Sequence, residues 1–191
     1  MQLLLDNIVA TIVAGVVSVL LITLSVDQAE GTRDVVRLQA HQTVQNSFTE
    51  QLERDLTNAG VLTPSGATPI QSVGPGTFSF YGLIDTVGTT GVISYVRVPA
   101  DSLDGSAVFA VERYVDGVRS GGTAGVLSRF DVRVLTDGGV SVPSGALAQA
   151  RSVRVATEWV LPFGETGGAR TRQALRRSAW STHVRPLGLQ P

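Results

Sequence analysis

His41 and His183 are the two histidines, far apart in sequence, and neither has a ligand-type residue nearby at metal-binding spacing. No cysteine is present, so a disulfide, a thiolate ligand and a thiol nucleophile are all excluded. Asp101-Ser102-Leu103-Asp104-Gly105 offers two carboxylates and a glycine. A calcium loop needs more oxygen ligands and a distal Glu, so this segment reads as a turn. Ser120-Gly121-Gly122-Thr123-Ala124-Gly125 is glycine-rich but lacks the lysine and spacing of a phosphate loop, and reads as a flexible loop. Arg170, Arg172, Arg176 and Arg177 cluster near the end. They have the charge to bind DNA or an anionic surface, but no stacking aromatics are interleaved, which favours a solvated or inter-subunit charge patch. Trp159 and Trp180 fall in strand-like runs and are expected in a core. No set of residues points to catalysis, a cofactor or a metal, and the chain is expected not to be an enzyme.

The elements that hold these residues are easier to read. Ile8 to Val26 is a 19-residue stretch with no charge and no proline. As a helix it spans about 28 Å, close to the roughly 30 Å of a bilayer's hydrocarbon core. Thr11, Ser18, Thr23 and Ser25 can hydrogen-bond back to their own helix. A cleaved signal peptide fits poorly, because a basic n-region and a small-residue cleavage site are both lacking and the run is too long. The pattern then continues to Ala59 without proline, with apolar residues at Val35, Leu38, Val44, Phe48, Leu52, Leu56 and Ala59. The steps of about four put Phe48, Leu52 and Leu56 on one face, expected to pack on the rest of the protein. Gln39, Gln42, Gln45, Glu50, Glu53 and Arg54 form a solvated set. Gly60 is a natural residue to follow a helix end, and Pro64 prevents much continuation.

Beyond Gly60 the period changes. Residues 61–76, rich in Pro, Gly, Ser and Thr, read as a linking loop. Strand-like runs follow at Thr77–Ile84, Gly91–Val98, Ala107–Val115, Leu127–Leu135, Ser152–Leu161 and Gln173–Val184. Asp116-Gly117, Asp137-Gly138-Gly139 and Gly167-Gly168 mark turns between them. The expected class is α+β: a long N-terminal α-helix packed on a C-terminal antiparallel β-sheet. Three regions result: a hydrophobic helix over 1–26, its amphipathic continuation over 27–60, and a β-rich head over 61–191.

Charge and hydropathy agree with that division. Mean hydropathy is +0.20, and 16% of residues are charged, against about a quarter in ordinary soluble domains. Net charge is −1, which gives no global attraction to nucleic acid. Residues 27–60 hold six acids and three arginines, a balance of −3; residues 151–191 hold seven arginines and two acids, a balance of +5. These two segments either attract each other, within a subunit or between subunits, or form two separate solvated faces. All fifteen basic residues are arginine.

The layout resembles the type IV pilin and pseudopilin superfamily, most of all its PilW-like (pseudopilin J-like) minor pilins. Gln51-Leu52-Glu53-Arg54-Asp55-Leu56-Thr57-Asn58-Ala59-Gly60 is similar to that family's helix end. Gly91-Val92-Ile93-Ser94-Tyr95 with Val111-Glu112-Arg113 resembles its central strands, and Trp180-Ser181-Thr182-His183-Val184-Arg185-Pro186 its last strand. The resemblance implies a structural subunit that waits in the inner membrane and then joins an extracellular filament or secretion pseudopilus, with other pilin subunits as partners. It further implies that Asp6 neutralises the N-terminal amine of a neighbouring subunit. Asp6 becomes the fifth residue once Met1 is removed, so the chain is expected either to be a mature form or to lack processing. Ala14 and Gly15 would allow close approach of neighbouring helices, and Leu20 and Leu24 would lie in the same packed core. The reading of a different class is a monomeric, signal-anchored surface protein whose β head binds a ligand or partner.

Overall fold

The computed structural model describes residues 2–85, 88–100, 102, 106–123, 125–164 and 173–189; side chains are described for these except residues 2–9, 34, 161–164 and 173–176. The fold is α+β. One helix, α1 (Gln2–Thr57), runs without a break. It contains no proline and ends near Gly60, whose φ of +79° is the left-handed conformation that glycine adopts without strain. The chain forms two compact units, Met1–Thr43 and Val44–Pro191, so the helical residues from Val44 onward belong with the sheet.

In the second unit, eight strands are described: β1 (Ile70–Gly74), β2 (Thr77–Leu83), β3 (Thr90–Pro99), β4 (Phe109–Val115), β5 (Val118–Gly122), β6 (Val126–Leu135), β7 (Ser152–Gly164) and β8 (Gln173–Val184). Their order is β1-β2-β3-β4-β6-β7-β8, with β5 paired to β4, and every pairing is antiparallel. Inward residues alternate with outward ones. Ile93 and Tyr95 of β3, Phe109, Val111 and Arg113 of β4, and Val153, Val155, Thr157 and Trp159 of β7 are buried. The Asp116-Gly117 turn joins β4 to β5 with φ of +49° and +80°, as a two-residue hairpin turn of the primed type requires.

Two segments differ from the sequence expectation. Residues 70–74, read as part of a linking loop, form β1 at the sheet edge; Ile70 is fully buried and the register slips between Ile70 and Ser72. Ser120, Gly121 and Gly122, read as a flexible loop, belong to β5. A bulge lies opposite Arg113 and Tyr114, with Ser120 as the extra residue. A Cβ on Gly122 would stand 2.6 Å from the Val111 carbonyl oxygen, so only glycine permits this approach.

Both β5 and β6 pair with β4. β5 takes the Glu112–Val115 half, which leaves Phe109↔Leu127 as the registered pair between β4 and β6. The sheet is therefore narrow at that seam, with β1–β5 on one side and β6–β8 on the other. Phe48 of α1 stands edge-on to Tyr95 of β3 (6.2 Å) and to Trp159 of β7 (5.6 Å), and so touches both sides. Phe48, Leu52, Leu56 and Ala59 are buried in the core with residues from both halves. At the far end, the short helix Leu187–Leu189 lies on the end of α1: Gly188 N donates to the Ala59 carbonyl, while Gly60 N donates to Tyr81. A Cβ on Gly188 would collide with the Gly60 backbone, so this close approach also requires glycine.

Candidate functional site

In the first unit, Ala10 to Val26 present apolar side chains outward all round the helix. Ile12, Val13, Val16, Val17, Val19, Leu20, Leu21, Ile22, Leu24 and Val26 are each roughly half to two-thirds exposed. Full removal from water is worth about 1.5–3 kcal/mol for each such side chain. Half of that over the whole set is on the order of 10 kcal/mol, comparable with the entire stability of a typical domain. The hydroxyls in this segment are satisfied inside the helix. Ser18 donates to the Ala14 carbonyl (2.8 Å), Thr23 to Val19 (2.6 Å) and Ser25 to Leu21 (2.8 Å). Internal satisfaction of polar groups is what a hydrocarbon solvent demands. By length and hydropathy the helix can cross a membrane. Leu20 and Leu24 are exposed, and Gly15 has open space where a Cβ would stand, next to exposed Ala14. The helix includes Asp6, but its side chain lies outside the described residues.

In the second unit, Phe48, Leu52 and Leu56 are buried against the sheet. Beside them lies a polar cluster that sequence reasoning missed. Asp55, on the buried face of α1, is 5% exposed. Its Oδ2 accepts from Arg113 Nε (2.6 Å) and from the Tyr95 hydroxyl (2.6 Å), and its Oδ1 accepts from Arg113 Nη2 (3.2 Å). Arg113 Nη1 donates to Ser120 Oγ (2.7 Å). Tyr95 and Arg113 are direct partners across β3 and β4, so one register position presents both donors to the helix carboxylate. The bulge in β5 supplies Ser120. Burial first, then the Asp55 carboxylate, pushes the Tyr95 phenol well above its ordinary value. Burial works against the Arg113 charge, yet its bonds to Asp55 and the Asp55 charge leave its pKa raised. The cluster is closed and fully paired, which suits the fixing of a helix on a sheet better than the turnover of a substrate.

On β6–β8, charged residues alternate with the buried ones and so lie on the outer face of the sheet. Asp131 is bonded by Arg129 and Arg133, both at 3.2 Å, and Glu158 by Arg177 at 3.2 Å. Arg185 meets Asp137. Thus Arg177 and Arg185 of the basic C-terminal segment pair with acids of the sheet and its turns. Arg170 and Arg172 lie outside the described residues, as do Gly167-Gly168, Asp101 and 103–105, and so does the Arg176 side chain. Trp159 is fully buried and Trp180 packs partly buried against the core. His183 is exposed on β8. His41, in the first unit, is half-buried, and burial lowers its pKa. Among the described residues, no three His, Cys, Asp or Glu side chains come together to hold a metal ion. No protein-family model, curated protein or solved structure matches this chain.

Proposed function

We propose that this chain is a structural subunit, a pilin or minor pilin/pseudopilin, of a type IV pilus-like filament or secretion pseudopilus. It waits in the inner membrane and then takes its place in an extracellular filament at the cell surface. One observation carries the reading: a single helix is apolar and exposed over Ala10–Val26, yet buried through Phe48, Leu52 and Leu56 at its other end. The exposed stretch needs a cover, and lipid and the same helix of other subunits both supply one. Ala14 and Gly15 leave room for close helix approach, and Asp6 is the residue assigned to meet a neighbour's N-terminal amine. The buried cluster around Asp55 keeps the head attached to its helix.

The test is to shear surface material from cells that make the protein, image it, and identify the filament subunits by mass spectrometry. The expected result is this chain inside helical filaments, in many copies or confined to an end. N-terminal sequencing of the same sample shows which residue leads the assembled chain. A stable monomer that keeps all activity after deletion of residues 1–26, with the protein missing from every filament, would instead establish a signal-anchored surface protein.

A further inference from the structure

The outer face of β6, β7 and β8 carries an arrangement that the assembly reading does not use. Arg133 of β6 lies directly opposite Arg154 of β7, and Arg154 directly opposite His183 of β8. Like charges directly opposite one another across an antiparallel pair repel and destabilise it. Arg133 shares the Asp131 carboxylate with Arg129. Arg154 is exposed and has no hydrogen bond or ion pair among the described residues. The next row across the same strands is Asp131, Ala156 and Ser181. Ala156 and Ser181 are small, so a groove of about 360 Å³ opens above them, lined by Arg129, Arg133 and Arg154 and by the carboxylates of Asp131 and Glu158, which Arg129, Arg133 and Arg177 neutralise. Glu158, at its other end, is taken by Arg177.

We infer that this groove binds an oxyanion (a sulfate, phosphate or carboxylate) seated over Ala156 between the Arg133 and Arg154 guanidinium groups. A guanidinium presents paired N–H donors at the spacing of two oxyanion oxygens, and Arg133 and Arg154, cross-strand partners lining one groove, can both donate to one such group. The Ser181 hydroxyl adds a neutral donor at the floor. The bound anion also offsets the repulsion between the two arginines. The volume exceeds that of a bare sulfate and lies in the range of small-molecule sites, so the oxyanion can be a free ion or one carried on a sugar-sized group. This inference does not depend on filament assembly.

Thermal unfolding of the full-length chain in detergent micelles tests it. Sodium sulfate is compared with sodium chloride at equal ionic strength, and glucuronate with glucose. An oxyanion at tenfold above its Kd is expected to raise Tm by about 3–5 °C. Arg154→Gln is expected to abolish that rise while leaving Tm without the anion unchanged or higher, since the like-charge pair is gone. Arg185→Gln, a control outside the groove, keeps the rise. The control matters because sulfate also strengthens folding non-specifically. A stronger response to sulfate assigns the site to the free ion, and a stronger response to glucuronate assigns it to an acidic sugar. An equal rise in the parent and in Arg154→Gln, or no rise with any oxyanion, would overturn the inference.

Discussion

The Asp55 carboxylate lies 2.6 Å from Arg113 Nε, with both side chains under 10% exposed. This pair fastens the last turns of α1 to the strand pair β3–β4. Desolvating two charges is costly, and the geometry here answers that cost with two bonds between the groups and further bonds from Tyr95 and to Ser120. A pair of this kind does little for stability compared with an apolar replacement. Its expected effect is on register: one partner without the other leaves a buried charge uncompensated, which disfavours other placements of the helix on the sheet.

Removing one partner should therefore be severe and removing both mild. Asp55→Ala is expected to destabilise the second unit by about 3–5 kcal/mol, because it leaves a buried guanidinium uncompensated. Asp55→Leu combined with Arg113→Met is expected to recover most of that loss. Chemical denaturation of the full-length chain in micelles, followed by near-ultraviolet circular dichroism, measures both. A double variant as unstable as Asp55→Ala would show that the two residues do not act as a pair.

Tyr95 sets an alkaline limit. Its folded pKa is raised, so folding favours the neutral phenol. That contribution is fully present below the unfolded value of about 10 and is lost as pH rises from there through the folded value. Stability should fall above about pH 10, and the Tyr95 phenolate absorbance should appear together with loss of the fold. In Tyr95→Phe that share of the alkaline decline disappears, while stability at neutral pH drops by about 1 kcal/mol for the lost hydrogen bond to Asp55.

Phe48 touches both sides of the sheet, so its loss should be felt at the seam. Phe48→Ala is expected to cost about 3–5 kcal/mol, the range for a large aromatic removed from a core. Hydrogen exchange gives the sharper readout. The amides of Phe109 and Leu127, which face each other across β4 and β6, should lose protection more than those between β2 and β3.

Thr157 points the other way. It is 2% exposed, and its hydroxyl has no partner among the described residues. Thr157→Val keeps the shape and removes a desolvated polar atom, and valine also suits a strand. The variant is expected to be about 1 kcal/mol more stable. An equal or lower denaturation midpoint would mean that the hydroxyl is satisfied after all.

The four-residue steps of Phe48, Leu52 and Leu56 and the turn at Asp116-Gly117 were legible because each rests on local periodicity or turn chemistry alone. The buried cluster was also present in the pattern, though it was not recognised. Asp55 follows Leu52 by three and precedes Ala59 by four, which places it on the apolar stripe. Arg113 continues the inward alternation of Phe109 and Val111. A charge on each of two buried faces implies a pair, but which acid meets which arginine depends on how the helix lies on the sheet, which neither segment encodes by itself. β1 and β5 were illegible for a different reason. Val118–Gly122 shows no alternation and ends in Ser-Gly-Gly, which has low β propensity, and it is a strand because β4 offers it an edge and Gly122 can lie against Val111. The outer arginine row depends on cross-strand register, which no single segment encodes.

The narrow join at Phe109 and Leu127 has a mechanical meaning. Two half-sheets that share so little of their own border need a brace outside it, and the aromatic wedge at position 48 supplies one. A chain that began past Phe48 would lose more than a covering layer: the aromatic brace between β3 and β7 would go with it, and the short Phe109–Leu127 join would have to hold without it.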